Sequence, residues 1–393
     1  MVWGKKALFG IFALVLCIGI VSCDGNANDN PVIDDDDPFN ISAVDFVSGM
    51  RVGWNLGNTF DAVSGGSSVS QLEAAWCGIV TTRENIDTIK DAGFNVIRIP
   101  VSWSKVADIN NDYKIREDWM MRIMEVVLWA LDNDMYVIIN THHDSGDQGT
   151  IFRFLNSNVE QSLERFTQIW EQIAETFKWF EEKLIFEPLN EPRNGNNWGG
   201  NAEMYNNINR HYQVFVDMLR ASGGNNSKRF ILFNAYAGSS SYAAMEGLKL
   251  PNDPATDKHL VSYHAYVPGN FAFGGLPGTT RGDTVDWTET NTNTSPITAP
   301  INQYYNKFVV NGIPVIIGEF GATNKENEAA RARWVEFYTR SAMEKGMRVI
   351  WWDNAKSDIP ENGNNNELFG LLNRRTNQII YPLIMQGLLD GSN

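Results

Sequence analysis

The chain has 393 residues, 43% hydrophobic and 20% charged, enough for one large domain or two average ones. Its 32 Lys and Arg against 47 Asp and Glu leave a formal charge of −15. That balance repels phosphate backbones and anionic membrane surfaces, so it excludes nucleic acid as a partner and favours a neutral one. The 13 Trp and 21 Phe exceed what a core of this size calls for. Most should still be core, and the surplus suits a groove wall.

Lys5 and Lys6 precede an apolar run over residues 7–21, which is short for a membrane span. The run closes on Ile20-Val21-Ser22-Cys23, which resembles a bacterial lipoprotein cleavage box with Cys23 as the acylated first residue. Residues 1–22 then read as a signal peptide. Loss of Cys17 and acylation of Cys23 would leave Cys77 alone, so no intrachain disulfide is expected. Residues 23–38 are rich in Asn and Asp, with a like-charge run from Asp34 to Asp37, and read as a disordered tether. This arrangement predicts a protein exported across the inner membrane and lipid-anchored at an outer membrane, on the cell surface or in the periplasm.

Residues 39–393 read as one α/β domain. Apolar, β-branched runs predict strands over 50–58, 95–103, 136–144, 184–191, 229–236, 260–266, 314–320 and 347–354. Thr82-Arg83-Glu84-Asn85 opens a helix that runs to Gly93. A second helix over 158–180 places Leu163, Phe166, Ile169, Trp170, Ile173 and Phe177 at three- and four-residue steps. Runs such as Val137-Ile138-Ile139 and Val315-Ile316-Ile317 are apolar throughout, as parallel strands covered on both faces require. Eight strands alternating with helices predict a (β/α)8 barrel. The interval 266–314, rich in Gly, Thr and Asn, reads as a long irregular loop that walls a groove.

Chemistry in a barrel collects at the C-terminal strand ends, and these ends are polar here. They carry Asn55 and Asn58, Arg98, His142-His143-Asp144, Asn190-Glu191, His264 and Tyr266, Glu319, and Trp352-Asp353-Asn354. One such residue could be a satisfied structural group; a set spread over seven strand ends points to a site. Glu191 and Glu319 fall on the fourth and seventh strands and can face each other across the mouth. That arrangement suits glycoside hydrolysis, with one acid to protonate the leaving oxygen and one carboxylate facing the anomeric carbon.

The ordered segments Gly53-Trp54-Asn55-Leu56-Gly57-Asn58-Thr59, Arg98-Ile99-Pro100-Val101-Ser102-Trp103 and Asn140-Thr141-His142-His143-Asp144 resemble glycoside hydrolase family 5, in its bacterial endoglucanase branch. Phe186-Glu187-Pro188-Leu189-Asn190-Glu191-Pro192-Arg193, His264-Ala265-Tyr266, Gly318-Glu319-Phe320-Gly321 and Trp351-Trp352-Asp353-Asn354 continue the match in the family's order. The resemblance implies Glu191 as acid/base, Glu319 as nucleophile, and Asn190 on the sugar 2-hydroxyl. It implies Arg98 beside Glu319, His264 and Tyr266 orienting the pair, Trp352 as a stacking floor, and Asn55, Asn58, His142 and His143 about the sugar. It implies a β-1,4-glucan substrate, with mannan as the family's alternative, and no cofactor. A non-catalytic glycan-binding lipoprotein on the same barrel is the reading from another class. Where this branch carries Trp-Gly-Asn-Pro, the chain has Trp76-Cys77-Gly78-Ile79. Trp76 is still expected to stack on a sugar, in a subsite of changed shape. Adjacent residues on a strand point to opposite faces, so His142 and His143 are not expected to share a metal, with or without Asp144 and His264.

Overall fold

A computed structural model of the chain describes residues 37–145, 158–273, 284–358 and 367–393. The signal peptide, Cys23 and nearly all of the tether lie outside the described residues. Compact packing separates Met1–Asn40 from Ile41–Asn393, and the second unit carries the barrel. Among the described residues no helix is long and apolar enough to cross a membrane.

Eight parallel strands close into a barrel: β1 (Val52–Leu56), β2 (Val96–Ile99), β3 (Tyr136–Asn140), β4 (Leu184–Glu187), β5 (Ile231–Ser239), β6 (His259–His264), β7 (Val315–Phe320) and β8 (Arg348–Asp353). Each lies inside or within three residues of its expected span. Several stop short at the C-terminal end for a local reason: Pro100 follows β2 and Pro188 follows β4, and proline has no N–H for the ladder. Glu191 therefore stands on the loop after β4, whereas Glu319 is within β7. The helix at Arg83–Asp91 starts from Thr82, whose side chain accepts the Asn85 N–H while the Asn85 side chain accepts the Thr82 N–H.

Strand alternation sorts the side chains into layers. Outward-facing Trp54, Ile97, Val137, Ile139, Phe186, Phe233 and Ile317 join the buried cluster under the surrounding helices. Inward-facing Val96, Ile138, Ile185, Leu232, Leu260, Ile316 and Ile350 form an apolar layer, closed below by Phe46, Val47 and Met50 of the helix Ala43–Ser48 and the turn after it. Two residues further along, the same face changes character. It presents Asn55, Arg98, Asn140, Glu187, Asn234 and Ser262, all buried. The apolar layer closes the barrel, and this polar one carries the site.

The 266–314 interval departs from its reading as an irregular wall. It holds a 17-residue helix, Asn291–Lys307, preceded by the single turn Gly269–Ala272. Pro296 and Pro300 lie inside that helix and a Thr/Asn-rich start disguises it. Its buried Ile297, Pro300, Ile301 and Tyr304 still recur at three- and four-residue steps.

After β8 the chain is clasped to β1. Asp353 accepts the Trp54 indole N–H at 3.0 Å and the Leu371 and Leu372 N–H groups at 2.8 and 3.1 Å. Arg374 reaches Asp353 Oδ1 at 2.9 Å, Gly57 O at 3.0 Å and Thr59 Oγ1 at 2.7 Å. Both side chains of the ion pair are withdrawn from water. Arg374→Met leaves the Asp353 charge buried without its partner, and is expected to cost about 3 kcal/mol of stability. A urea unfolding curve checks this: the midpoint should fall with the slope unchanged.

Candidate active site

Arg98 is the hub. Its guanidinium is fully buried and donates from Nε to Glu187 Oε2 at 2.8 Å and from Nη2 to Glu187 Oε1 at 3.0 Å. Nη1 donates to Glu319 Oε1 at 2.8 Å and Asn55 Oδ1 at 3.0 Å, and Nη2 also donates to Asn190 Oδ1. Burial works against the charge, but Glu187 and Glu319 beside it outweigh burial and raise its proton affinity. Arg98 therefore reaches the carboxylates and lies below any sugar. Asn55 is likewise no sugar ligand: it is fully buried, with Nδ2 donating to Gly318 O at 2.9 Å and Oδ1 held by Arg98.

Glu187 does not stand out in the sequence as a site residue, yet it is the counter-charge that lets Arg98 sit there. Its oxygens also accept from Asn140 Nδ2 at 2.9 Å and from Asn234 Nδ2. The available signal is a lone charge in an apolar strand, four residues before Glu191.

Above this layer, Glu319 Oε2 accepts the Tyr266 hydroxyl at 2.9 Å. Burial, then the charges of Glu319 and Glu191, push the Tyr266 phenol well up, so it remains a donor. His264 Nδ1 lies 2.9 Å from Glu191 Oε1 and 3.6 Å from Glu319 Oε2. One oxygen of each glutamate and a His264 nitrogen all fall within 4.8 Å of one another. Arg193, given no role by the sequence reading, reaches Glu191 Oε2 at 3.4 Å and stacks 4.1 Å from the centroid of Trp198, which is 55% exposed.

Desolvation is the largest influence on both glutamates and pushes both up. His264 overcomes it at Glu191, whose carboxyl is held low, while Glu319 stays raised with the Glu191 charge beside it. His264 itself is raised: burial opposes its charge, but Glu319 and Glu191 prevail. The resting order is thus opposite to an acid at 191 and an anion at 319. It reverses when the proton in the His264–Glu191 hydrogen bond moves to the carboxyl, because the Arg98 charge on Glu319 is permanent and that of His264 is not.

His142 and His143 lie past the end of β3 at Asn140, so strand alternation does not separate them. Their rings meet edge-on at 4.5 Å, and together with Asp61 their donor atoms gather within 4.8 Å. The expectation that they point apart is corrected accordingly. The donors are already engaged, however. Asp61 accepts the Asn58 and Thr59 N–H groups at 3.1 and 2.7 Å, and the His142 nitrogens face the amides of Asn140 and Asn190. Burial, then the His143 and Arg98 charges, hold His142 well below the usual range, so its ring is neutral. Asp144 belongs to neither group; it accepts the Trp103 and Ser104 N–H groups. Asn58 forms the turn after β1 at φ 56°.

Trp352 lies parallel to the His142 ring, centroids 5.8 Å apart, and is 8% exposed. It rests on Gly57, where a Cβ would come within 2.8 Å of the indole. Trp76 stands 5.6 Å from His143 at the rim. In its changed segment, Gly78 has φ 69° and its carbonyl is held by Arg375 at 2.8 Å.

Two carboxylates facing each other at the C-terminal mouth of a (β/α)8 barrel are the arrangement that glycoside hydrolysis uses. The chain is a member of the cellulase family, glycosyl hydrolase family 5, whose model matches residues 57–358. It is 40% identical over 356 residues to the cellulase/esterase CelE of Acetivibrio thermocellus, covering 90% of this chain and 41% of that protein. It is 39% identical over 355 residues to endoglucanase B of Ruminococcus albus, covering 89% and 81%. Among solved structures, a family 5 lichenase variant from Caldicellulosiruptor sp. F32 in complex with cellotetraose superposes with a TM-score of 0.84 at 36% identity, covering 90% and 96%. A broad-specificity endoglucanase from Ruminococcus champanellensis with bound cellotriose gives 0.81 at 38% identity, covering 89% and 98%.

Glu187→Gln keeps the shape but removes the charge that pins Arg98. A looser hub should lower kcat about tenfold with KM little changed. With one anion fewer, Arg98 acts more strongly on Glu319, so the acidic limb of the pH profile should move down. Steady-state kinetics across pH test both.

Proposed function

We propose that the protein is an endo-acting, retaining hydrolase of β-1,4-glucan chains, working by double displacement. The observation that carries this reading is the short gap between one Glu191 oxygen and one Glu319 oxygen, within 4.8 Å. Retaining glycosidases hold their carboxyls about 5 Å apart; inverting ones leave roughly 6.5–9.5 Å for a water.

In the first step a Glu319 carboxylate oxygen bonds to the anomeric carbon as the glycosidic C–O bond breaks. The Glu191 proton passes to the departing oxygen. In the second step water attacks the glycosyl ester, Glu191 takes its proton, and Glu319 leaves as carboxylate. Arg98 and the Tyr266 hydroxyl keep the Glu319 charge stabilised in both steps. Asn190 has Oδ1 held by Arg98 and one Nδ2 hydrogen facing His142 Nε2 at 3.3 Å, which leaves its second N–H to meet a sugar hydroxyl. Trp352 and Trp76 offer ring faces for stacking.

The substrate class is that of the relatives, which are named endoglucanases, cellulases and lichenases and include structures holding cellotriose or cellotetraose. Cellulose, mixed-linkage β-glucan and xyloglucan are the candidates. We further propose export and acylation at Cys23, supported by Lys5 and Lys6, the apolar run and Ile20-Val21-Ser22-Cys23.

Incubation of the purified protein with carboxymethylcellulose, barley β-glucan, xyloglucan and glucomannan tests the reading. New reducing ends should appear on the glucans and vanish in Glu319→Gln, with the first product released as the β-anomer by NMR. An α-anomer would overturn the retaining mechanism, preference for glucomannan would move the substrate to mannan, and glycan binding without hydrolysis would leave a binding protein.

A further inference from the structure

Two buried polar atoms inside the barrel, Ser262 Oγ and His264 Nε2, have no hydrogen-bond partner among the described residues. They lie two residues apart on β6 and face the same side. Both meet Gly318 of β7: a Cβ there would lie 2.6 Å from Ser262 Oγ and 3.1 Å from His264 Nε2. The glycine thus lets hydroxyl and ring nitrogen share one hollow. Asn234, the register partner of Ser262 on β5, has its Oδ1 in the same condition. Buried polar atoms are rarely left unpaired, so these groups belong together.

The other ring nitrogen of His264, Nδ1, faces Glu191 at 2.9 Å. An Nδ1–H donated to Oε1 favours the ionised carboxylate, whereas an Nδ1 lone pair facing Oε1 favours the protonated carboxyl that an acid needs, and the ring's own hydrogen must then be on Nε2. A buried Nε2–H needs an acceptor.

We propose that Ser262 is a positioning residue for acid catalysis: its hydroxyl, through one water, accepts the hydrogen of His264 Nε2–H and so keeps the Nδ1 lone pair aimed at Glu191. The proposal rests on Glu191 being the acid/base. The same acceptor serves the imidazolium, which also carries hydrogen on Nε2, so the proton in the His264–Glu191 bond moves either way without a new tautomer. The groups facing His264 from other elements are Glu319 of β7, Arg98 of β2, Glu191 and Arg193 after β4, and His142 after β3, with Tyr266 beyond its own strand. Arg98 keeps its charge, Tyr266 stays protonated and His142 neutral. Only the two glutamates and His264 exchange protons.

Without the hydroxyl, the ring escapes the orphaned Nε2–H by carrying its hydrogen on Nδ1. That hydrogen bonds the ionised Glu191 and opposes the protonated one, so the acid's proton affinity falls. In Ser262→Ala the basic limb of the kcat/KM profile should therefore move to lower pH. Hydrolysis of cellotetraose, whose leaving oxygen needs a proton, should lose about tenfold in kcat/KM. That of 2,4-dinitrophenyl β-cellobioside, whose leaving group departs as an anion, should stay within about twofold. Ser262→Thr keeps a hydroxyl and should restore the ratio. Because the ratio is taken within one preparation, partial misfolding does not disturb it. Equal losses on both substrates in Ser262→Ala, an unmoved basic limb, or no recovery in Ser262→Thr would overturn the proposal. Glu191→Ala separates the two ideas: if it too lowers both substrates equally, the assignment of Glu191 as the acid is what fails.

Discussion

A guanidinium inside a closed barrel is tolerable only if its charge is answered, and answering the Arg98 charge organises the whole interior. Glu187 takes two of its hydrogen bonds, Glu319 one, and Asn55 and Asn190 the remainder. The partners come from β1, from β4 and the loop after it, and from β7, so the barrel must close correctly for the charge to be met. The same contacts that make the burial tolerable also set Glu319 in place. Stability and chemistry share one residue.

This explains why the interior is layered. The apolar layer of Val96, Ile138, Ile185, Leu232, Leu260, Ile316 and Ile350 excludes water from below. Electrostatic interactions in the polar layer above are then stronger than they would be in water. A fixed cation under one carboxylate and a titrating imidazole against the other give two chemically equal glutamates unequal environments. The asymmetry lies in which positive charge can be given up.

The sequence is most legible where periodicity and local chemistry agree. All eight strands and the helices near residues 83 and 158 are readable because apolar runs and capping residues announce them. The helix at Asn291–Lys307 is not, since its prolines and Thr/Asn-rich start hide a buried face that only tertiary packing completes. At the site, residue identities are legible but their depth is not. Asn55 looks like a sugar ligand in a motif and lies beneath the floor, because two residues along a strand decide between mouth and interior. Glu187 escapes a sequence reading because its partner Arg98 comes from another strand, and Ser262 because only the fold sets its hydroxyl in the hollow beside Gly318. His142 and His143 are misplaced when strand alternation is applied beyond the strand's end.

Glu319, which accepts a hydrogen bond from Arg98 at 2.8 Å, is the residue proposed to form the covalent bond to the sugar. Incubation with an activated 2-deoxy-2-fluoro-β-cellobioside, whose fluorine slows the second step, tests this most directly. Intact-protein mass spectrometry should show one added glycosyl group, and peptide mapping should place it on Glu319. An adduct on Glu191, or steady turnover with no adduct under conditions that trap a retaining enzyme, would contradict the account.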